Sequence, residues 1–137
     1  GLLNIALGAV IEPQFSGEAL YIFQYYPSSQ AALAKTRVVD GEEVAERFEI
    51  YYEGVELANG YHELVDAKEQ RHRFEECNEK RASLGKEQYP LDERFLGALE
   101  DGMPGCCGVA VGFDRLMMLR HEASSLCDIL PFSWEEC

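Results

Sequence analysis

Apolar and polar positions alternate with period two in the middle of the chain. Residues 47–52 and 55–64 read as two strands, and the Glu53-Gly54 pair between them is the length and chemistry of a two-residue hairpin turn. An earlier aromatic and β-branched run, Leu20-Tyr-Ile-Phe-Gln-Tyr-Tyr26, predicts a strand ending at Pro27. The apolar residues 1–12 predict a short helix, and the polar residues 38–43 predict a loop. After the hairpin the pattern changes. Asp66, with Glu69 three residues on, opens a helix in capping-box fashion; it runs to about Leu84 and stops at Gly85. Its many charges place it on the surface. A second helix starts at Asp92, stapled by Leu91 and Leu96, with Phe95, Leu96 and Leu99 on one apolar face, and ends at Gly102 and Pro104. Residues 108–113 predict a small-residue strand. Residues 114–120 predict a helix with Leu116 and Leu119 toward the core. The tail Ile129-Leu-Pro-Phe is apolar enough to dock on the domain, with Trp134 as its anchor. The sum is an α+β fold, an antiparallel sheet flanked by helices.

The hairpin carries the first candidate chemistry. Opposed residues share a face, so Glu49, Tyr51, Glu56 and Ala58 lie on one side. Phe48, Ile50, Tyr52, Val55 and Leu57 lie on the other, which is the predicted core face. Two carboxylates on neighbouring strands are close enough to share one divalent cation. Hard oxygen ligands suit Mg²⁺, which completes its shell with water and phosphates. On pattern alone the plainer alternative is favoured: a solvent-facing sheet with two ordinary glutamates.

Asn59, Tyr61 and Glu63 then alternate in register with Leu57, which would aim all three into the core. A buried, unpartnered Glu is very unfavourable. A β-bulge between Leu57 and Tyr61, enabled by Gly60, is therefore expected. It would turn the three residues onto the carboxylate face. An amide, a ring and a carboxylate suit a cationic amine.

Farther on, Gly108-Val-Ala-Val-Gly-Phe-Asp-Arg115 lets a ligand approach a strand of small side chains and puts a guanidinium in the first turn of a helix. It is neither a Walker loop nor Gly-x-Gly-x-x-Gly. An Arg115 ion pair with Asp114 or a nearby Glu is an equal alternative.

Composition adds limits. The 137 residues suffice for one core. With 25 acidic against 12 basic residues the net charge is −13, which repels phosphate backbones and argues against a grip on nucleic acid. No apolar run approaches the roughly 18 residues of a membrane span, and no signal peptide is expected. Five cysteines in no zinc-like spacing predict free thiols in a reducing cytoplasm. His72 and His121 read as surface residues, and Met117 and Met118 as helix packing.

Together, Glu46-Arg-Phe-Glu49, Glu56-Leu-Ala-Asn-Gly-Tyr-His-Glu-Leu64 and Gly108-Val-Ala-Val-Gly-Phe-Asp-Arg115 resemble, in order, the second half of class II lysyl-tRNA synthetases. The third segment is similar to class II motif 3, here at 108–119. The resemblance covers residues 21–132 and implies a class II synthetase-type catalytic domain. It implies that Glu49 and Glu56 hold Mg²⁺ against ATP and that Asn59, Tyr61 and Glu63 bind a lysine-like substrate. Tyr61 stands where the family usually has Phe. Arg115 is implied as the catalytic arginine that packs on adenine and contacts the triphosphate.

Pro27-Ser-Ser-Gln-Ala-Ala-Leu-Ala34, His62 and Ala110 look like the paralogues that attach lysine or β-lysine to elongation factor P. At Ala110 the tRNA synthetases normally have Gly, and the extra methyl narrows the pocket floor. The implied protein is a bacterial cytoplasmic homodimer that uses elongation factor P rather than tRNA as acceptor. Motifs 1 and 2 are absent from residues 1–137, so a fragment with exposed apolar surface is expected. The alternatives are part of an ordinary lysyl-tRNA synthetase, or a non-catalytic binding module.

Overall fold

Two tight turns organise the sheet. In the computed structural model, which describes residues 2–133, Glu53 (φ 48°) and Gly54 (φ 75°) take the left-handed backbone that a two-residue hairpin turn needs. They join β3 (Glu42–Tyr52) to β4 (Val55–His62), as the alternation predicted. Asp40 (φ 52°) and Gly41 (φ 86°) form a second such turn, joining β2 (Thr36–Val39) to β3. The pairing is antiparallel, from Thr36 opposite Ala45 to Val39 opposite Glu42. The loop expected over 38–43 is thus a hairpin. Asp-Gly supplies the turn, and β2 is only four residues long, too short to show a clear alternation. β1 (Leu20–Pro27) and β5 (Cys107–Val111) complete a five-stranded sheet of order β1-β3-β4-β5, with β2 on β3. Helices accompany this sheet, so the architecture is the α+β one expected.

The helices follow their caps. The Asp66 carboxylate accepts from the backbone N–H groups of Lys68 (2.9 Å) and Glu69 (3.1 Å) and opens α2 (Ala67–Ser83). Glu69 itself accepts from Arg73 Nε one turn on (2.9 Å), so half of the expected capping box is present. Gly85 takes a φ of 66° just past the helix end. Asp92 caps α3 (Glu93–Glu100) in the same way, and Leu96 and Leu99 are buried on its apolar face. Arg71 reaches Glu93 with two hydrogen bonds, at 2.9 and 2.5 Å, and the Phe74 and Phe95 rings meet at 6.1 Å. α2 is largely a surface helix. Gln70 is its exception, only 1% exposed and, among the described residues, with no hydrogen-bond partner for either side-chain amide atom.

The chain divides into two compact units. One gathers the residues up to Gln24, Phe48–Gly60 and those from Val109 onward; the other gathers Tyr25–Arg47 and Tyr61–Gly108. The core of the second unit is Tyr26, Ala31, Ala34, Ala45, Leu64, Leu96 and Leu99.

The first unit buries the opposite hairpin face from the one expected. Glu49, Tyr51 and Ala58 are nearly inaccessible, whereas Phe48, Ile50, Tyr52, Val55 and Leu57 are half-buried. The reason lies upstream. After α1 (Leu2–Ala6) the chain makes a π turn over Leu7–Ile11 and a 3-10 turn over Glu12–Gln14. This delivers the Phe15 ring to 5.0 Å from both Tyr51 and Tyr21. An aromatic segment thus covers the carboxylate side.

In α4 (Phe113–Arg120) Leu119 is half-buried, but Leu116 is 44% exposed and does not face a core. Phe132 is also exposed, so the tail does not dock through it; Trp134 lies outside the described residues. His72 and His121 are exposed and Met117 and Met118 half-buried, as expected. Cys77, Cys106, Cys107 and Cys127 are free thiols. Among the described residues no helix is long and apolar enough to cross a membrane.

Candidate functional site

In the first unit the junction of β5 with α4 is fastened to β4. The backbone N–H of Gly112 donates to the Leu57 carbonyl (2.9 Å), and the Arg115 guanidinium donates from Nη1 to the Glu56 carbonyl (2.8 Å). The same Nη1 stands 3.4 Å from Glu56 Oε2. Gly112 makes this possible. The Arg115 side chain folds back over it, with Cδ 3.3 Å from where a Cβ would stand. Both side chains of the pair remain partly exposed, Arg115 at 45% and Glu56 at 37%, so the ion pair is solvent-screened and open to a ligand. The ion pair with a nearby Glu foreseen for Arg115 is therefore present, and its partner is itself a predicted site residue.

Glu49 lies deeper. Its Oε2 accepts a 2.6 Å hydrogen bond from the Tyr51 hydroxyl, a length typical of a charge-assisted O–H···O⁻ bond. Glu12 Oε1 lies 3.4 Å from the same hydroxyl. Glu12 and Tyr51 carried no functional expectation. The signal for Tyr51 was its place beside Glu49 on one hairpin face. Glu12 gave none, because its approach depends on how the N-terminal turns fold. Asn59 is half-buried on β4, and Ala110 is exposed on β5.

The second unit holds Tyr61 and Glu63. The Arg47 guanidinium sits over the Tyr26 ring (4.4 Å to the centroid) and also faces the Tyr61 ring (5.8 Å). β4 runs as one strand from Val55 to His62, with Ala58 and Gly60 buried two apart, and Glu46 on β3 meets His62.

His62 lies between Lys35 and Glu46, with Lys35 Nζ 3.4 Å from Nε2 and Glu46 Oε2 2.7 Å from Nδ1. Glu63 is half-buried, and its backbone N–H donates to the Cys106 carbonyl (2.9 Å). Its carboxylate makes no hydrogen bond or ion pair among the described residues. A groove of about 660 Å³ elsewhere in this unit, bordered by Ser28, Thr36, Glu43, Arg73 and Lys80, contains none of the predicted site residues.

The family model described as "tRNA synthetases class II (D, K and N)" matches residues 8–136, nearly the whole chain. This chain belongs to the class II (D, K and N) tRNA synthetase family. Curated relatives narrow the likeness. The elongation factor P–(R)-β-lysine ligase of Salmonella gallinarum is 49% identical over 132 residues, and that of Edwardsiella ictaluri 51% identical over 132 residues. In each case the match takes in 96% of this chain and 40% of the relative, so the chain spans about two-fifths of the length of these relatives.

The donor set of this class II chain can be tested against Mg²⁺. Among the described residues no cluster of three or more His, Cys, Asp or Glu side chains is placed to hold a metal. A cation on Glu49 and Glu56 would therefore rely on water and phosphate oxygens for the rest of its shell, which is how Mg²⁺ is commonly held beside a nucleotide. Glu49 and Glu56 by themselves do not make a self-sufficient metal cage.

Proposed function

We propose that this chain carries part of the catalytic domain of an ATP-dependent ligase. The enzyme activates lysine or β-lysine as an acyl-adenylate and transfers the acyl group to a lysine of elongation factor P. The observation that carries the reading is the 49–51% identity over 132 residues with ligases of that name. The geometry is compatible with it. Arg115, anchored on Glu56 yet 45% exposed, is available to an ATP phosphate or the adenine face. Mg²⁺, on Glu49 and Glu56, would supply charge neutralisation for the triphosphate. Asn59, Tyr61 and Glu63 bind the donor, with the unpartnered Glu63 carboxylate receiving its ammonium. Ala110 narrows the space beside the donor and favours the β-amino acid.

Adenylate formation and aminolysis need positioning and charge neutralisation, and no protein nucleophile is invoked. We place the whole protein in the bacterial cytoplasm as a homodimer. With a net charge of −13 this region is unsuited to gripping tRNA.

ATP–pyrophosphate exchange by the natural protein that contains this chain tests the reading, comparing L-lysine with (R)-β-lysine, with and without elongation factor P. Preference for β-lysine and transfer to the factor is the expected result. Preference for L-lysine with transfer only to tRNA would assign the chain to an ordinary lysyl-tRNA synthetase. No exchange with either would make it a non-catalytic module.

A further inference from the structure

The Glu63 carboxylate occupies space that a side chain at position 108 would need. A Cβ built on Gly108 would stand 2.3 Å from Glu63 Oε1 and 3.5 Å from its Cδ, and among the described residues beyond its chain neighbours nothing else lies within 4 Å. Gly108 is in the second unit with Glu63, and the two backbones are held close by the Glu63 N–H donating to the Cys106 carbonyl at 2.9 Å. Gly108 is not in left-handed backbone, so conformation does not demand a glycine there. Space does. Ordinary contact begins at 3.4 Å, so any side chain at 108 would drive the carboxylate away by at least about 1 Å. The atom that must move is the end of a flexible side chain bonded to nothing else among the described residues. The fold can absorb that movement, whereas the position of the negative charge cannot stay the same.

We propose that Gly108 is a positioning residue. Its missing side chain is the slot that holds the Glu63 carboxylate in place for the substituted ammonium of the donor. This rests on the proposed role of Glu63 and adds the determinant of where its charge sits. A 1 Å misplacement of a binding group is enough to lose on the order of 10²-fold in productive complex formation.

The test is a double-mutant cycle in the natural protein, with Gly108→Ala, Glu63→Asp and both together, read by ATP–pyrophosphate exchange with (R)-β-lysine and L-lysine. Gly108→Ala is expected to leave the melting temperature near the wild-type value, leave KM for ATP unchanged, and raise KM for the amine at least 10-fold. In the Glu63→Asp background the shorter carboxylate no longer reaches the slot, so Gly108→Ala is expected to add less than 2-fold. If the two effects multiply instead, the glycine does not act through Glu63 and the proposal is overturned.

A second readout needs no substrate. The side-chain carboxyl ¹³C resonance of Glu63 is expected to move on Gly108→Ala in this chain; an unmoved resonance in a folded variant also overturns the proposal. Should the wild-type protein activate no amine, the ligase reading fails, and the resonance alone still decides whether Gly108 sets the carboxylate.

Discussion

Removing the Tyr51 hydroxyl tests whether the covered face of the hairpin is a built site. Tyr51→Phe keeps the ring against Phe15, whose centroid lies 5.0 Å away, and deletes the hydroxyl that donates to Glu49 at 2.6 Å and reaches Glu12 at 3.4 Å. Tyr51 is 4% exposed and Glu49 8%, so water has little access to replace the lost donor. Hydrogen bonds to charged groups contribute about 1.5–3 kcal/mol, and this one, short and screened from solvent, belongs near the middle at about 2 kcal/mol. The unfolding entropy of about 2.1 cal/mol/K per residue converts that to a melting temperature lower by about 7 °C for a chain of this length. Thermal unfolding followed by circular dichroism at pH 7 reads the difference directly. Titration with Mg²⁺ and ATP reads the second consequence, a weaker apparent affinity as Glu49 loses one of the groups that orient it. A variant within 1 °C of wild type, with unchanged Mg²⁺–ATP binding, would refute the reasoning and return Tyr51 to simple packing.

Arg115→Ala should raise KM for ATP at least 10-fold in the natural protein while changing stability by less than about 1 kcal/mol, because its ion pair is solvent-screened; equilibrium unfolding in urea and exchange kinetics check the two halves. Ala110→Gly should shift the ratio of exchange rates toward L-lysine, and an unchanged ratio would remove Ala110 from the specificity argument. The Arg71 hydrogen bond holds the Glu93 carboxyl below the usual range and the guanidinium above its own. The Glu93 contribution is therefore fully present above the ordinary Glu pKa and lost as pH falls through the lowered folded value. Both groups are surface-exposed, so the effect is small: wild type and Glu93→Gln should differ more in melting temperature at pH 7 than at pH 3, and an equal difference at both pH values would contradict the linkage.

What the sequence conveyed was local. The Glu53-Gly54 turn, the Asp66 and Asp92 caps and the Leu96–Leu99 face each depend on residues within a few positions of one another, and all are present. The reading of Glu49 and Glu56 onto one hairpin face used only a turn and a count, and the assignment of the buried side failed. That side is decided by Phe15, 36 positions before the Tyr51 it packs on, and by the turns that deliver it. Leu116 shows the same limit: helical spacing says which residues share a stripe, but not whether anything covers it. The approach of Glu63 to Gly108 spans 45 positions and was not legible, although the glycine itself was noticed. The role of Arg47 between two rings also needed the fold, since Tyr26 and Tyr61 come from different strands.

β5 ends the strand order, and its Val109 and Val111 are each more than half exposed. For this chain in solution, that edge sets a colloidal balance. A net charge of −13 keeps copies apart by long-range repulsion, while an apolar strand edge attracts at contact. Salt weakens only the first force, with a screening length of about 10 Å at 0.1 M and about 3 Å at 1 M. The chain should therefore remain dispersed in dilute buffer and associate as ionic strength rises, the reverse of a protein held together by ion pairs.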